Sequence, residues 1–437
     1  MYDHRRPRSS FRLARSPARS FCLGLGVLWA AGCNGTASAE STVANRQQDV
    51  QLGLKDGVGK LALTGCVGFD YMAAFNVGGQ VLSLLVDSGS TTFGVAGQQC
   101  SACTPANGVQ QTYALSSTGK RIGATASSSY ADGSRWNGVV VSDRVAAGDA
   151  QTLATPAVSI NFADITSESN FFESVTCAAA DDTAFDGIAG LGPDGQLLPR
   201  TTSFMTALGQ SGELKEDLFA MQMCDVGGWM WFGGWEESSV TAAPNYTPLV
   251  QGDSPGYYVD VADMALGSSS FQLGKSQLGP MVVDSGTNAI LLTKSAYEAF
   301  RATIDASPAF VANFGRNFIS ADNAQCATSA RGLTREQLDA ELPRFSMTFA
   351  DEAGNPFSID MPATSSYLVA HADTSSPSGN TYYCPTVIGY SDDSLSILGN
   401  AAMRQFVVVF DRSGKGRVGF APQTGCRPAS LYLPPGT

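Results

Sequence analysis

The chain reads as a mainly β protein built from two related halves, on the strength of three features. Short runs of β-branched and aromatic residues are separated by Gly, Asn, Asp and Ser. Helical periodicity is scarce. One strand-and-turn motif occurs twice, each copy followed by the same kind of apolar element. At 437 residues the chain also exceeds what a single core usually serves, so two lobes are expected.

The runs that predict strands are Tyr71–Val77, Val81–Val86, Gly138–Ser142, Trp229–Phe232, Tyr257–Val261, Met281–Val283, Phe345–Phe349 and Phe406–Phe410. The clearest helical pattern is Ser295–Ile304, where Ala296, Ala299, Phe300 and Ile304 share one face. The repeated motif is Leu84-Leu85-Val86-Asp87-Ser88-Gly89-Ser90, which recurs as Pro280-Met281-Val282-Val283-Asp284-Ser285-Gly286-Thr287. About 100 residues after each copy comes an echo, Phe185-Asp186-Gly187-Ile188-Ala189-Gly190-Leu191 and then Leu395-Ser396-Ile397-Leu398-Gly399-Asn400. Turn-rich stretches near 241–245 and 251–256 place the boundary, giving lobes at 66–245 and 246–426 and a tail at 427–437.

Charge narrows the function. Only 15% of residues are charged, against roughly 25% in an average globular protein. The net charge is -12, and six of the 27 basic residues (Arg5, Arg6, Arg8, Arg12, Arg15, Arg19) fall in the first 20 positions, leaving the remainder more acidic still. Such a surface repels phosphate backbones, so nucleic-acid binding is excluded as an expectation. His4 and His371 are the only histidines. Multi-histidine zinc sites and most histidine acid–base schemes therefore lack their parts, and no metal or cofactor is implied.

The basic start is followed by the apolar run Phe21–Ala31, too short to span a bilayer but suited to a signal-peptide core. Residues 1–39 are read as that signal. Two exits are visible: Ala30-Ala31-Gly32-Cys33 resembles a lipoprotein box that would anchor the chain through Cys33, and Ala37-Ser38-Ala39 offers an ordinary cleavage site. A disordered basic tail is the alternative. Residues 40–65 are polar and read as a spacer or short pro-segment, although Arg46, Lys55 and Lys60 are few cations for neutralising an acidic site. Of ten cysteines, eight lie beyond the leader, and an even number in an exported chain predicts disulfides, with 105 connectivities open from sequence alone. Cys100-Ser-Ala-Cys103 reads as a local disulfide rather than a redox or zinc half-site, because no second CxxC or nearby His accompanies it.

An Asp directly after a buried apolar strand is costly unless hydrogen-bonded, and a Gly two residues on lets a backbone N–H approach the carboxylate. One Asp-Ser-Gly alone is an ordinary turn. Two copies in matched contexts point elsewhere: a pseudo-twofold axis would bring Asp87 and Asp284 face to face. Two carboxylates about 3 Å apart cannot both ionise easily, so they share a proton. The charged one can take a proton from water while the neutral one gives a proton to a carbonyl oxygen, which is peptide hydrolysis without histidine or metal.

At these residues the sequence resembles the pepsin family of aspartic peptidases, and within it the β-secretase branch. The matching loops are Val86-Asp87-Ser88-Gly89-Ser90-Thr91-Thr92-Phe93-Gly94-Val95 and Val283-Asp284-Ser285-Gly286-Thr287, and the likeness runs from about Asp70 to Cys426. The resemblance implies a bilobal fold with pseudo-twofold related lobes and a central cleft, and an endopeptidase acting at acidic pH on peptide or protein substrates as a monomer. It makes Asp87 and Asp284 the catalytic pair. Ser88 and Ser285 would grip across the lobes, Gly89 and Gly286 would give the close turns, and Ser90 and Thr287 would bond the outer carboxylate oxygens. Ser129-Tyr130-Ala131-Asp132-Gly133-Ser134 resembles the tip of the flap, with Tyr130, Ala131 and Asp132 over the substrate. The same resemblance pairs Cys224 with Cys426, Cys326 with Cys384, Cys100 with Cys103, and, as the remainder, Cys66 with Cys177.

The sequence departs from the family's pattern at two points in the site. Many members bond the flap tyrosine to a tryptophan whose matching position here is Gly94, although Phe93-Gly94 is similar to the β-secretase variant that also lacks it. The usual Asp after the last Ile-Leu-Gly is Asn400, and losing a nearby acid is expected to move the pH optimum upward. Two rival readings remain at this stage. Gly252-Asp253-Ser254-Pro255-Gly256 with His371 formally suits a serine hydrolase, but Pro255 lacks the N–H that an oxyanion hole needs there. The other is an inactive pepsin-fold module that binds or inhibits, which would be expected to lose a motif Asp or its Gly; both motifs are complete.

Overall fold

The computed structural model describes residues 51–172, 185–250, 256–320, 325–372 and 381–426. Where the sequence alternates, one strand face is buried: in Phe345–Ala350 the residues Phe345, Met347 and Phe349 point into the core and their neighbours outward. Where apolar residues run on, as in Phe406–Asp411, every residue is buried because both faces of the strand are covered. The clearest helical pattern extends to Lys294–Ala306, started by the Thr293 side chain accepting from the Ala296 N–H. Two further short helices, Pro308–Phe314 and Arg335–Glu341, carried too little periodicity to be foreseen.

One sheet holds thirteen described strands, running Asn245–Pro248, Arg417–Pro422, Phe406–Asp411, Leu218–Met223, Val226–Phe232, Gly59–Cys66, Tyr71–Val77, Gln80–Asp87, Gly187–Gly190, Gly94–Ala96, Val158–Ser169, Arg135–Ala147 and Lys120–Ser129. A second has Tyr258–Asp260, Pro280–Val283, Ser396–Leu398, Ile290–Leu292 and Val387–Gly389. Two sequence expectations need correction. Residues 51–65 are not a spacer: Gly59–Cys66 is hydrogen-bonded on one side to Val226–Phe232 and on the other to Tyr71–Val77, with Leu61 and Leu63 buried by simple alternation. The boundary at 245/246 is not a clean cut either. Phe406–Asp411, counted with the C-terminal half, pairs in full register with Leu218–Met223 of the N-terminal half.

The repeat has a structural meaning. Each motif strand pairs in parallel with its echo, Leu84–Asp87 with Gly187–Gly190 and Met281–Val283 with Ser396–Leu398. The glycine that ends each echo is required because the Asp-bearing loop folds directly over it: a Cβ at Gly190 would meet the Thr92 N at 2.6 Å, and one at Gly399 the Ala289 O at 2.2 Å. One apolar core continues through both halves, including a chain of aromatic edges from Phe204 through Phe75 and Phe93 to Phe162, with ring centroids 5.6–5.8 Å apart.

The structure contains the disulfides Cys100–Cys103, Cys224–Cys426 and Cys326–Cys384. Cys177, expected to partner Cys66, lies outside the described residues, as do the signal, Cys33 and the tail. Beside Cys224, Asp225 binds two guanidiniums, Arg335 from one C-terminal helix and the almost fully buried Arg404 at 2.5 Å. Cys224–Cys426 closes a separation of 202 residues and so should remove much unfolded-chain freedom. Replacing both cysteines by Ser is expected to cost about 2–4 kcal/mol, read as an earlier midpoint in chemical denaturation with the slope retained.

Candidate active site

The parallel pairings set the two Asp-Ser-Gly loops against each other, and four hydrogen bonds lock them. The Ser88 N–H donates to Ser285 Oγ at 2.9 Å and the Ser285 N–H to Ser88 Oγ at 2.8 Å. Each hydroxyl then donates onward to the opposite strand, Ser88 to the Val283 carbonyl at 3.0 Å and Ser285 to the Val86 carbonyl at 2.7 Å. Both serines are completely buried, so every donor and acceptor of this cross-link is used where water is absent.

On this cross-link sit the carboxylates. Asp87 Oδ1 accepts from the Gly89 N–H at 2.8 Å and Asp284 Oδ1 from the Gly286 N–H at 2.9 Å. The glycines are crossed: a Cβ at Gly89 would come 2.5 Å from the Asp284 carboxyl carbon, and one at Gly286 2.6 Å from Asp87 Oδ1. Any side chain at either position would push into the opposing carboxylate. Asp87 is 6% exposed. Burial first, then the charge of Asp284, holds the Asp87 carboxyl well above the usual carboxylate range, and the nearby Ser90 hydroxyl and the Gly89 N–H only partly offset this.

The outer oxygens are treated unequally. Thr287 Oγ1 donates to Asp284 Oδ2 at 2.6 Å. Its counterpart Ser90 Oγ is buried without a hydrogen bond of good geometry, although it is close enough to Asp87 to favour the charged form. The matched pair of outer bonds expected from the sequence is therefore made on one side only.

Over the carboxylates reaches a hairpin with arms Lys120–Ser129 and Arg135–Ala147. Its tip is closed by the Tyr130 N–H donating to the Ser134 carbonyl at 2.9 Å and by Ser134 N–H to Asp132 Oδ1 at 2.8 Å, leaving Ala131 and Asp132 exposed. Tyr130 stacks on Phe171 at 5.4 Å, and its hydroxyl is pushed up by burial and then by the charge of Asp87, which shows how near the ring lies to the pair.

Tyr130 has a tryptophan partner, though not from position 94. Trp136 Nε1 donates to the Tyr130 hydroxyl at 3.0 Å from the other arm of the same hairpin. The register explains it: Trp136 faces Ser128, and Tyr130, two residues beyond, lies diagonally on the same face. Trp136 is fully buried, its ring 3.6 Å from where a Gly94 side chain would begin. The signal was the period-two spacing across the hairpin, which a search along the linear motif passes over. Phe171, Phe172 and Phe185 were missed as well; they cluster beside Tyr130 with Ile188 and Leu85. Asn400 proves to be a link between halves, its side-chain amide donating to the Phe69 carbonyl at 2.8 Å and its N–H to the Thr287 carbonyl at 2.8 Å. Of the rival serine site, Ser254 lies outside the described residues, and His371 stands against the Phe69 ring at 6.0 Å.

The family model described as Eukaryotic aspartyl protease matches residues 70–423, which takes in both Asp loops, the hairpin and both echoes. The chain belongs to that family. This aspartyl protease is 26% identical to an "Aspartic protease" of Phaffia rhodozyma over 88% of this chain and 84% of that one. It is 27% identical to Aspergillopepsin-1 of Aspergillus oryzae over 81% and 79% of the two chains. With a Beta-secretase of Strongylocentrotus purpuratus it shares 25% identity over 83% of this chain and 68% of that one.

Two outcomes follow for this aspartyl protease. A Gly89→Ala variant should fold but lose at least about a hundredfold in peptide cleavage, since a displacement near 1 Å at reacting groups costs that much; a colorimetric peptide assay with circular dichroism checks both halves of the statement. The second concerns stability. Because the Asp87 carboxyl is raised in the folded state, its contribution is present below the unfolded value near 3.8 and is lost as the pH rises through the folded value. Asp87→Asn cannot ionise, so its melting temperature should exceed that of the wild type at pH 7, with the gap closing toward pH 3 in differential scanning calorimetry.

Proposed function

We propose that the protein is an aspartic endopeptidase in which Asp87 and Asp284 activate water against a peptide bond. Asp87, held protonated by burial and by its neighbour, is the acid. Asp284, whose oxygens accept from the Gly286 N–H and the Thr287 hydroxyl, is the base. Water attacks the carbonyl carbon, giving one proton to Asp284 while Asp87 gives its proton to the carbonyl oxygen. The resulting diol collapses as one of its hydroxyls returns a proton to Asp87, Asp284 gives its proton to the leaving nitrogen, and the C–N bond breaks. Tyr130, Ala131 and Asp132 fold over an extended substrate and exclude water, with hairpin backbone pairing to peptide backbone. Asn400 brings no charge beside the pair, so the optimum is acidic but higher than a carboxylate at that position would allow.

The single observation that carries this reading is the crossed arrangement in which each glycine can exist only as glycine because the opposite carboxylate occupies its side-chain space. An inactive peptide-binding module has no need of that geometry. The disulfides Cys100–Cys103, Cys224–Cys426 and Cys326–Cys384 fit an oxidising, extracytoplasmic compartment, and no helix among the described residues is long and apolar enough to cross a membrane. Signal removal, either after Ala39 or before Cys33 with anchoring through Cys33, and action as a monomer are parts of the same proposal that rest on sequence.

The test is cleavage of a mixed peptide library from pH 3 to 7 by wild type, Asp87→Asn and Asp284→Asn, with and without pepstatin. Acid-optimal, pepstatin-sensitive cleavage that drops by about 10³-fold or more in each variant is expected. Full activity in either variant would mean that the chemistry lies elsewhere.

A further inference from the structure

Asp164 takes no part in the chemistry above, yet it lies where the hairpin leaves the sheet. In strand Val158–Ser169 it stands opposite Val95 on one side and Val139 on the other. Immediately beyond, the pairing slips, so that Gly138 faces Ile165 while Asn137 faces Ser167. Gly138 permits this bulge, because a Cβ there would come 2.6 Å from the Asp164 carbonyl oxygen. Asp164 thus marks the hinge from which the outer hairpin arm departs toward Trp136 and Tyr130.

Its side chain is 6% exposed, and Oδ1 is buried with no hydrogen-bond partner. That oxygen fills the open space over Gly97, 1.7 Å from where a Cβ would be. The surroundings are poor in charge. Gly94–Ala96 and the helix Phe204–Gln210 carry no titratable group. On the outer arm, Arg135, Asp143 and Arg144 stand opposite Ser169, Ile160 and Ser159, toward the two ends of the strand. Tyr113, bridged to Gly97, already donates its hydroxyl to Asp143. Arg121 on the inner hairpin arm is the cation whose charge reaches Asp164, and burial outweighs it, pushing the carboxyl up to about 6.

We propose that Asp164 is a pH-sensitive hinge pin: neutral, it fits its unpartnered space and holds the hairpin arm on the sheet, and ionised, it draws Arg121 or water inward and loosens the arm. The step is loss of one proton to solvent. A carboxyl raised in the folded state stabilises fully below its unfolded value and ceases to do so as the pH rises through about 6. The hairpin is therefore firm in acid and loose near neutrality, which would confine activity to acidic surroundings. This regulation rests on the reading of the hairpin as the substrate flap.

The experiment is amide hydrogen exchange over residues 120–147 at pH 5 and 7.5, expressed as protection factors, in Asp87→Asn protein with and without Asp164→Asn. The Asp87→Asn background removes the coupled ionisation of Asp87, Asp284 is common to both proteins compared, and exchange needs no turnover, so the result is independent of whether peptides are cleaved. Protection should fall about tenfold between the two pH values with Asp164 present and by less than about twofold in the protein that also carries Asp164→Asn. Equal falls in both proteins would overturn the proposal, as they would if ordered water satisfies Oδ1 at all pH values. If Asp164→Asn disturbs folding, Arg121→Gln serves instead: removing the facing cation should move the midpoint of the fall to higher pH, because that cation favours the ionised carboxylate, and an unchanged midpoint would refute the hinge.

Discussion

Two carboxylates must be kept close together in an apolar interior, against their mutual repulsion and their loss of hydration, and the reciprocal bonding of Ser88 and Ser285 is what makes this possible. Each serine serves as donor and acceptor to the other half and sends its hydroxyl proton to the opposite motif strand. Neither loop can shift without breaking bonds that no water can replace. The parallel strand pairings, the glycines under each loop and the shared sheet all serve to bring these two loops to one point. The repeat in the sequence follows from that need, since a twofold-related partner is the simplest surface complementary to a loop of this shape.

The symmetry is broken where the chemistry needs it. Thr287 holds the outer oxygen of Asp284, while Ser90 leaves that of Asp87 without an equivalent bond. Burial is also unequal, with Asp87 almost fully covered and Asp284 partly accessible. Two groups of the same type thus stand in unlike surroundings, and burial together with its neighbour raises the Asp87 carboxyl above the usual range. Tyr130 at the hairpin tip comes close enough to feel the Asp87 charge. Trp136 fixes that tyrosine by a bond from the other arm of the same hairpin.

The two lobes are tied together through a shared sheet. Strands from both ends of the chain interleave in the same sheet, Cys224–Cys426 ties a central turn to the C-terminal end, and Asp225 gathers two guanidiniums beside it. A protein short of charged residues but with excess acid groups also suits acidic surroundings, where much of its self-repulsion is neutralised.

Much of this was legible in the order of residues. Local pattern located the motif strands, a helix over Ser295–Ile304 and the two Asp loops, because strand burial and tight turns impose a short-range spacing, while the hairpin tip followed from the resemblance to the pepsin family. The strand Gly59–Cys66 was legible too, in the alternation of Leu61 and Leu63 with Lys60, Ala62 and Thr64, but a polar flank disguised it. The Trp136–Tyr130 bond, the Asn400–Phe69 link, the unpartnered Ser90 and the buried Asp164 were decided only by tertiary structure. Each depends on which residues face one another across strands or between halves, and on how much water the packing leaves there. Composition and spacing determine which groups are present; close packing at a given register determines which of them are paired, which are charged, and which are left alone.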